Sequence, residues 1–123
     1  MKFHLSNNTG LNVFTAHGAG YVRVNDQRFE RPVIVTPEQI LGDWSARDFA
    51  SLAEADFSYF LALRPEVVLL GTGSQHRFAH PLLYRALSNA GIGVEFMNTP
   101  AACRTFNILS VEERRVVAGI LFE

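Results

Sequence analysis

The chain has 123 residues, 48% of them hydrophobic, enough for one domain over residues 1–123 with a core of its own and too few for two. Eleven basic residues against twelve acidic ones leave a formal charge of −1, and no Lys/Arg block appears, so the electrostatic footprint of a nucleic-acid binder is missing. A single cysteine, Cys103, excludes an internal disulfide framework and cannot by itself build a structural zinc site, which suits a reducing compartment.

At the start, MKFHLSNNTG has neither the apolar core of a signal peptide nor the Arg-rich look of an organelle presequence. No stretch approaches the ~20 apolar residues that span a bilayer. The chain reads as soluble, unprocessed and cytoplasmic. LNVFTAHG (11–18), GYVRVNDQRFE (20–30) and PVIVT (32–36) are short β-branched or aromatic runs broken by Gly, Asn-Asp and Pro. They predict antiparallel strands with tight turns, Asn25 and Asp26 turning one hairpin.

From Ser45 the period changes. Phe49, Leu52, Ala53, Phe57, Phe60 and Leu61 recur at three- and four-residue spacing, predicting an amphipathic helix with room for a break near 52–54. Ser45 and Asp48 are spaced as a capping box made with the shorter acid, and Pro65 ends the segment. EVVLLGTG (66–73) is a continuous apolar run of strand length, expected to be buried on both faces.

HPLLYRALSNAG carries the clearest helix signal in the chain: His80 as N-cap, Pro81 at the first helical position, a stripe of Leu82, Leu83, Ala86, Leu87 and Ala90, and Gly91 as the stop. IGVEFM (92–97) reads as a second strand, so residues 66–97 make a strand–helix–strand unit of the ~30 residues that a right-handed parallel crossover needs. NTPAACRTFNIL repeats the start signal, with Thr99 as N-cap, Pro100 at the first helical position and a helix to about Leu109. RRVVAGILF (114–122) closes the chain as another buried strand. The sum is an α/β fold, a mixed sheet with a helix on each face and an antiparallel N-terminal hairpin region.

LLGTGSQHRF resembles a strand running into a phosphate loop, but a Walker loop needs Lys followed by Ser/Thr, and a dinucleotide fingerprint needs a third Gly and a later acid. Neither is present. Gly71 and Gly73 are then read as letting the chain leave the strand through angles barred to residues with a Cβ. A further reading stays open. Two helix starts, near His80 and Thr99, follow parallel strands and open on the carboxyl edge of the sheet, where α/β sheets bind ligands and where helix N-termini favour anions. Arg77 and Arg104 lie close enough in sequence to contribute.

No catalytic set emerges. Cys103 in the first turns of the last helix has a physical route to reactivity through the helix dipole, yet a lone cysteine more often fills apolar space. His76 and His80 are four residues apart, but Pro81 keeps them outside one helical face, and no Cys or acidic ligand shares their segment, so no metal is expected. No cofactor is expected either. Thr99 reads as a cap, and Asn107, among apolar neighbours, as a residue whose amide satisfies loop backbone or touches a ligand.

The combination VVLLGTGSQHRF, GIGVEFMNTPAACRTFNIL and RRVVAGILF resembles a family of small α/β proteins of bacteria and archaea whose eukaryotic relatives include a mitochondrial respiratory complex I assembly factor. The resemblance is continuous over residues 65–122 and weaker over the hairpins. It maps family motif residues onto Gly71, Thr72 and Gly73 in one loop and onto Thr99, Ala102, Thr105, Phe106 and Asn107 in the other. An acid and an Arg before the last strand match Glu113 or Glu112 and Arg114 or Arg115.

The resemblance implies a three-layer fold around a mixed sheet of about five strands, one antiparallel to the rest. No enzyme activity is implied. The expected function is therefore a non-enzymatic binding or assembly factor with protein partners, such as respiratory-chain subunits or another assembly factor, and room for a homo-oligomer. The competing expectation is a small-molecule or anion binder, or an enzyme, using a cleft built from Gly71, Thr72, Gly73, Ser74, Arg77, Thr99, Ala102, Cys103, Thr105, Phe106 and Asn107.

Overall fold

The apolar runs that the sequence marks as buried strands lie at the centre of a five-stranded sheet. In the computed structural model, which describes residues 10–122, this sheet runs Ile40–Leu41, Val33–Val35, Val116–Leu121, Val67–Thr72, Gly93–Met97 from edge to edge. The N-terminal segment that carries no signal-peptide core falls, apart from Gly10, outside the described residues. The strands are β4 (Val33–Val35), β5 (Ile40–Leu41), β6 (Val67–Thr72), β7 (Gly93–Met97) and β8 (Val116–Leu121). β6 is parallel to both β7 and β8, whereas β4 is antiparallel to β8 and to β5. One strand, β4, thus runs against the other four.

Alternation along β6 and β8 feeds two cores, because successive side chains leave a strand on opposite faces. Val68, Leu70, Val117 and Leu121 join Ile34 under Trp44, Phe57, Phe60 and Leu87. Leu69, Val116, Ala118 and Ile120 join Val33 and Val35 under Ala102, Cys103 and Phe106. Both faces are apolar, which is why these strands read as unbroken hydrophobic runs.

The second face is closed by helix α3 (Thr99–Val111) and by a separate three-stranded antiparallel sheet of β1 (Phe14–Gly18), β2 (Tyr21–Val24) and β3 (Gln27–Phe29). Asn25 takes φ 55° in the predicted turn between β2 and β3. Phe14, Val22 and Val24 bring this small sheet into the core of α3, with the rings of Phe14 and Phe106 edge to face at 5.3 Å. The three-layer α/β arrangement expected from the sequence is therefore present. The strand β5 was not expected; Thr36 makes it by accepting from the amides of Glu38 and Gln39, which turns the chain back on β4.

Two helix expectations need correction. The long amphipathic helix from Ser45 reduces to α1 (Glu54–Ser58) and a 3-10 turn, Tyr59–Leu63. Ser45 does not pair with Asp48 in a cap. Its hydroxyl binds Asp56 Oδ1 at 2.5 Å, Ala53 N donates to Asp56 Oδ2 at 2.9 Å, and Trp44 Nε1 donates to the Asp56 carbonyl at 2.9 Å. Asp48 instead accepts from Ser51 N in a local turn. The segment ahead of α1 is held across the helix start, and its Leu52 is buried from a loop. The helical spacing is thus a product of packing, and Leu61 is left 37% exposed.

The segment after His80 is also broken, into a 3-10 turn, Pro81–Tyr84, and α2 (Arg85–Asn89). His80 caps it as expected, Nδ1 accepting from Leu82 N at 3.1 Å. The tighter winding shifts the phase of the apolar stripe. Only Leu87 is buried; Leu82 is 54% exposed. In α3 the cap is Asn98, which accepts from Ala101 N, so Thr99 and Pro100 are the first two helical residues and the helix runs to Val111, past Leu109.

Candidate functional site

Three parallel strands, β6, β7 and β8, end at one edge of the sheet, and the Gly-Thr-Gly loop and the start of α3 meet there. The Thr99 hydroxyl accepts from Gly73 N at 2.9 Å and donates to the Leu121 carbonyl at 2.9 Å, while Thr99 N donates to the Gly73 carbonyl at 2.8 Å. One side chain therefore joins the ends of β6, β8 and α3. Gly71 makes room for it. A Cβ there would lie 3.0 Å from Thr99 Oγ1 and 3.2 Å from Ile120 Cδ1. Gly73, at φ 94°, is the residue that uses a backbone angle favouring glycine. The expectation that both glycines serve special angles is corrected for Gly71, whose reason is close approach. Thr72 is buried, its hydroxyl donating to the Gln75 carbonyl and accepting from Arg77 N at 3.2 Å, which folds the loop back.

The amides at the start of α3 are spent inside the protein. Thr99 N binds Gly73, Pro100 has no N–H, Ala101 N binds Asn98 Oδ1 at 2.8 Å and Ala102 N binds the Asn98 carbonyl at 3.0 Å. The donors that would attract an anion to a helix N-terminus are thus already engaged.

A cleft of ≈ 440 Å³ does open at this edge. Its walls are the β1–β2 turn (Gly18, Ala19, Gly20), Gly73 and Ser74, Thr99 and Pro100, and Phe122. Of the residues singled out from the sequence, Gly73, Ser74 and Thr99 line it, and Gly71 and Thr72 are buried. Ala102, Cys103 and Phe106 lie inside the second core, and Thr105 is half-buried on α3. Arg77 is half-buried, with its guanidinium 5.6 Å from the centre of the Phe49 ring. The sequence reading missed the Gly18 to Gly20 turn and Phe122, and read Pro100 only as a helix start. The two glycines flanking Ala19 were the available signal, but the docking of the small sheet is a tertiary matter.

That docking is where Asn107 acts. Its Oδ1 accepts from Phe14 N and its Nδ2 donates to the Phe14 carbonyl, both at 2.9 Å, as a neighbouring strand would. Asn107→Leu is expected to cost about 1–3 kcal/mol, the range for leaving backbone polar groups unsatisfied, seen as a lower urea midpoint at unchanged slope. An unchanged midpoint would contradict this role. Before β8, Arg114 and Arg115 hold the exposed Glu66, Arg114 through Nε at 3.1 Å and Arg115 through its amide at 3.2 Å.

Cys103 is 2% exposed, and burial pushes its thiol up to about 12, with Arg104 pulling the other way. Alkylation at pH 8 is expected to be far slower in the folded protein than in the unfolded chain; equal rates would contradict it. The raised pKa also has a stability consequence. The contribution is fully present below the ordinary value of 9.0 and is lost as pH rises toward 12, because only the unfolded chain ionises in that window. Among the described residues no group of three or more His, Cys, Asp or Glu could hold a metal. His80 is committed to its cap, and His76 packs on Phe78 with ring centres 4.5 Å apart.

Comparison with known proteins assigns this architecture. The model of a family described as protein of unknown function (DUF498/DUF598) matches residues 14–121. The chain belongs to the DUF498/DUF598 family. The NADH dehydrogenase [ubiquinone] 1 alpha subcomplex assembly factor 3 of Bos taurus is 36% identical over 104 residues, which is 83% of this chain and 55% of that protein. The chain thus spans about half the length of the assembly factors it matches. A Francisella tularensis relative called a 13 kDa major membrane protein is 29% identical, over 88% of this chain and 89% of its own. No helix among the described residues here is long and apolar enough to cross a membrane. The crystal structure of a protein from Bordetella parapertussis superposes with a TM-score of 0.86 at 39% identity, covering 92% of this chain and 97% of that one.

Proposed function

We propose that this chain is a non-enzymatic binding or assembly factor that acts in the cytoplasm by holding protein partners, respiratory-chain subunits or another assembly factor among them. The observation that carries the reading is the 36% identity, over 83% of the chain, to an assembly factor of NADH dehydrogenase. The chemistry of the motif supports it. Thr72, Thr99 and Asn107, three of the four polar motif residues, are committed to backbone groups of the protein itself.

A second reading rests on the ≈ 440 Å³ cleft, a volume in the range of about 300–1,000 Å³ typical of small-molecule sites. Purification at native expression level separates the two. A protein retained in stoichiometric amount supports the first. A small molecule seen by native mass spectrometry and lost in Ser74→Trp, which fills the cleft, with no protein retained, overturns it.

A further inference from the structure

β7 is the outermost strand of the five-stranded sheet and pairs with β6 alone. At its start Gly93 N donates to the Glu66 carbonyl at 3.4 Å, and at its end the Met97 carbonyl oxygen lies 3.2 Å from the Thr72 hydroxyl oxygen on the β6 side. Backbone groups alternate sides along a strand. Gly93, Glu95 and Met97 therefore face β6, while the N–H and C=O of Val94 and Phe96 face outward. No loop or side chain among the described residues hydrogen-bonds to those outward groups. An open edge of this kind is a template for one more strand.

The side chains beside the edge define what that strand carries. On one face Phe96 is buried, and the ring of Phe78, 73% exposed, lies 6.0 Å from it. On the other face Glu95 is exposed. A second copy of this chain pairing antiparallel about Glu95 would set the two Glu95 residues directly opposite, with Cα atoms about 4.5 Å apart, a destabilising placement of like charges.

We propose that β7 receives, as a sixth strand, an extended segment of another protein with Lys or Arg opposite Glu95 and apolar side chains on the face of Phe78 and Phe96. This rests on the protein-binding reading and gives it a location. Backbone hydrogen bonds hold the segment, Glu95 selects its charge, and the Phe78 ring is covered.

The test is titration of the nitrogen-15-labelled chain with two capped peptides, Thr-Val-Lys-Val-Thr and Thr-Val-Glu-Val-Thr. The Lys peptide is expected to shift the Val94 and Phe96 amides and to bind about fivefold tighter than the Glu peptide. Glu95→Lys is expected to reverse the preference. Val94→Pro, which deletes an outward donor without touching the ladder to β6, is expected to abolish binding. Unmoved β7 amides, equal binding of both peptides, an unreversed preference in Glu95→Lys, or a dimer in sedimentation that Val94→Pro dissolves would each overturn the proposal. A stoichiometric partner retained while the β7 amides stay unmoved overturns this proposal alone, whereas absence of any protein partner overturns the reading beneath it.

Discussion

Thr99→Val is expected to lower the free energy of unfolding by about 2–6 kcal/mol, since it leaves two buried backbone groups without a partner at about 1–3 kcal/mol each. Those groups are Gly73 N and the Leu121 carbonyl, each bonded to the Thr99 hydroxyl at 2.9 Å. Valine keeps the shape, so packing alone does not account for the loss. Thr99→Ser keeps the hydroxyl and drops one methyl, and is expected to cost only about 1 kcal/mol. Urea unfolding of the pair checks this. A Val variant as stable as the Ser variant would contradict the role given to the hydroxyl.

Phe106→Ala is expected to cost about 3–5 kcal/mol, the usual range for emptying a fully buried aromatic position. The effect should be uneven. Phe106 is fully buried and meets Phe14 edge to face at 5.3 Å, so it fastens the small sheet to α3. Hydrogen exchange in the variant should therefore rise more at Val22 and Val24 than at Val68 and Val117, which belong to the opposite core. Uniform loss of protection over both sets would mean that the small sheet does not open separately.

The sheet was legible because its signal is local. The runs Val67–Leu70 in β6 and Val116–Leu121 in β8 carry no polar side chain, and Gly91 and Pro100 mark helix boundaries by backbone chemistry alone. The region from Ser45 to Leu63 misled because its apolar spacing satisfies a loop packed on the core as well as a helix. Asp56, accepting from Ser45 and Ala53, decides between them through contacts that no periodicity records. The cleft was legible on the side of the two motifs and illegible on the side of the β1–β2 turn. That turn reaches the edge only because Phe14 is held by Phe106 and Asn107, 92 and 93 positions away in the sequence.

The most direct test of a binding role without catalysis uses a host that carries NADH dehydrogenase and has lost this gene. The amount of assembled enzyme is measured on native gels, with and without the chain supplied back. The double variant Ser74→Ala, Cys103→Ala, which removes the Ser74 hydroxyl from the cleft and the only thiol of the sequence, is supplied in parallel. The expected result is a deficit of assembled enzyme in the deleted host, restored equally by the native chain and by the double variant. Normal assembly without the gene, or rescue by the native chain and none by an equally abundant double variant, would contradict it.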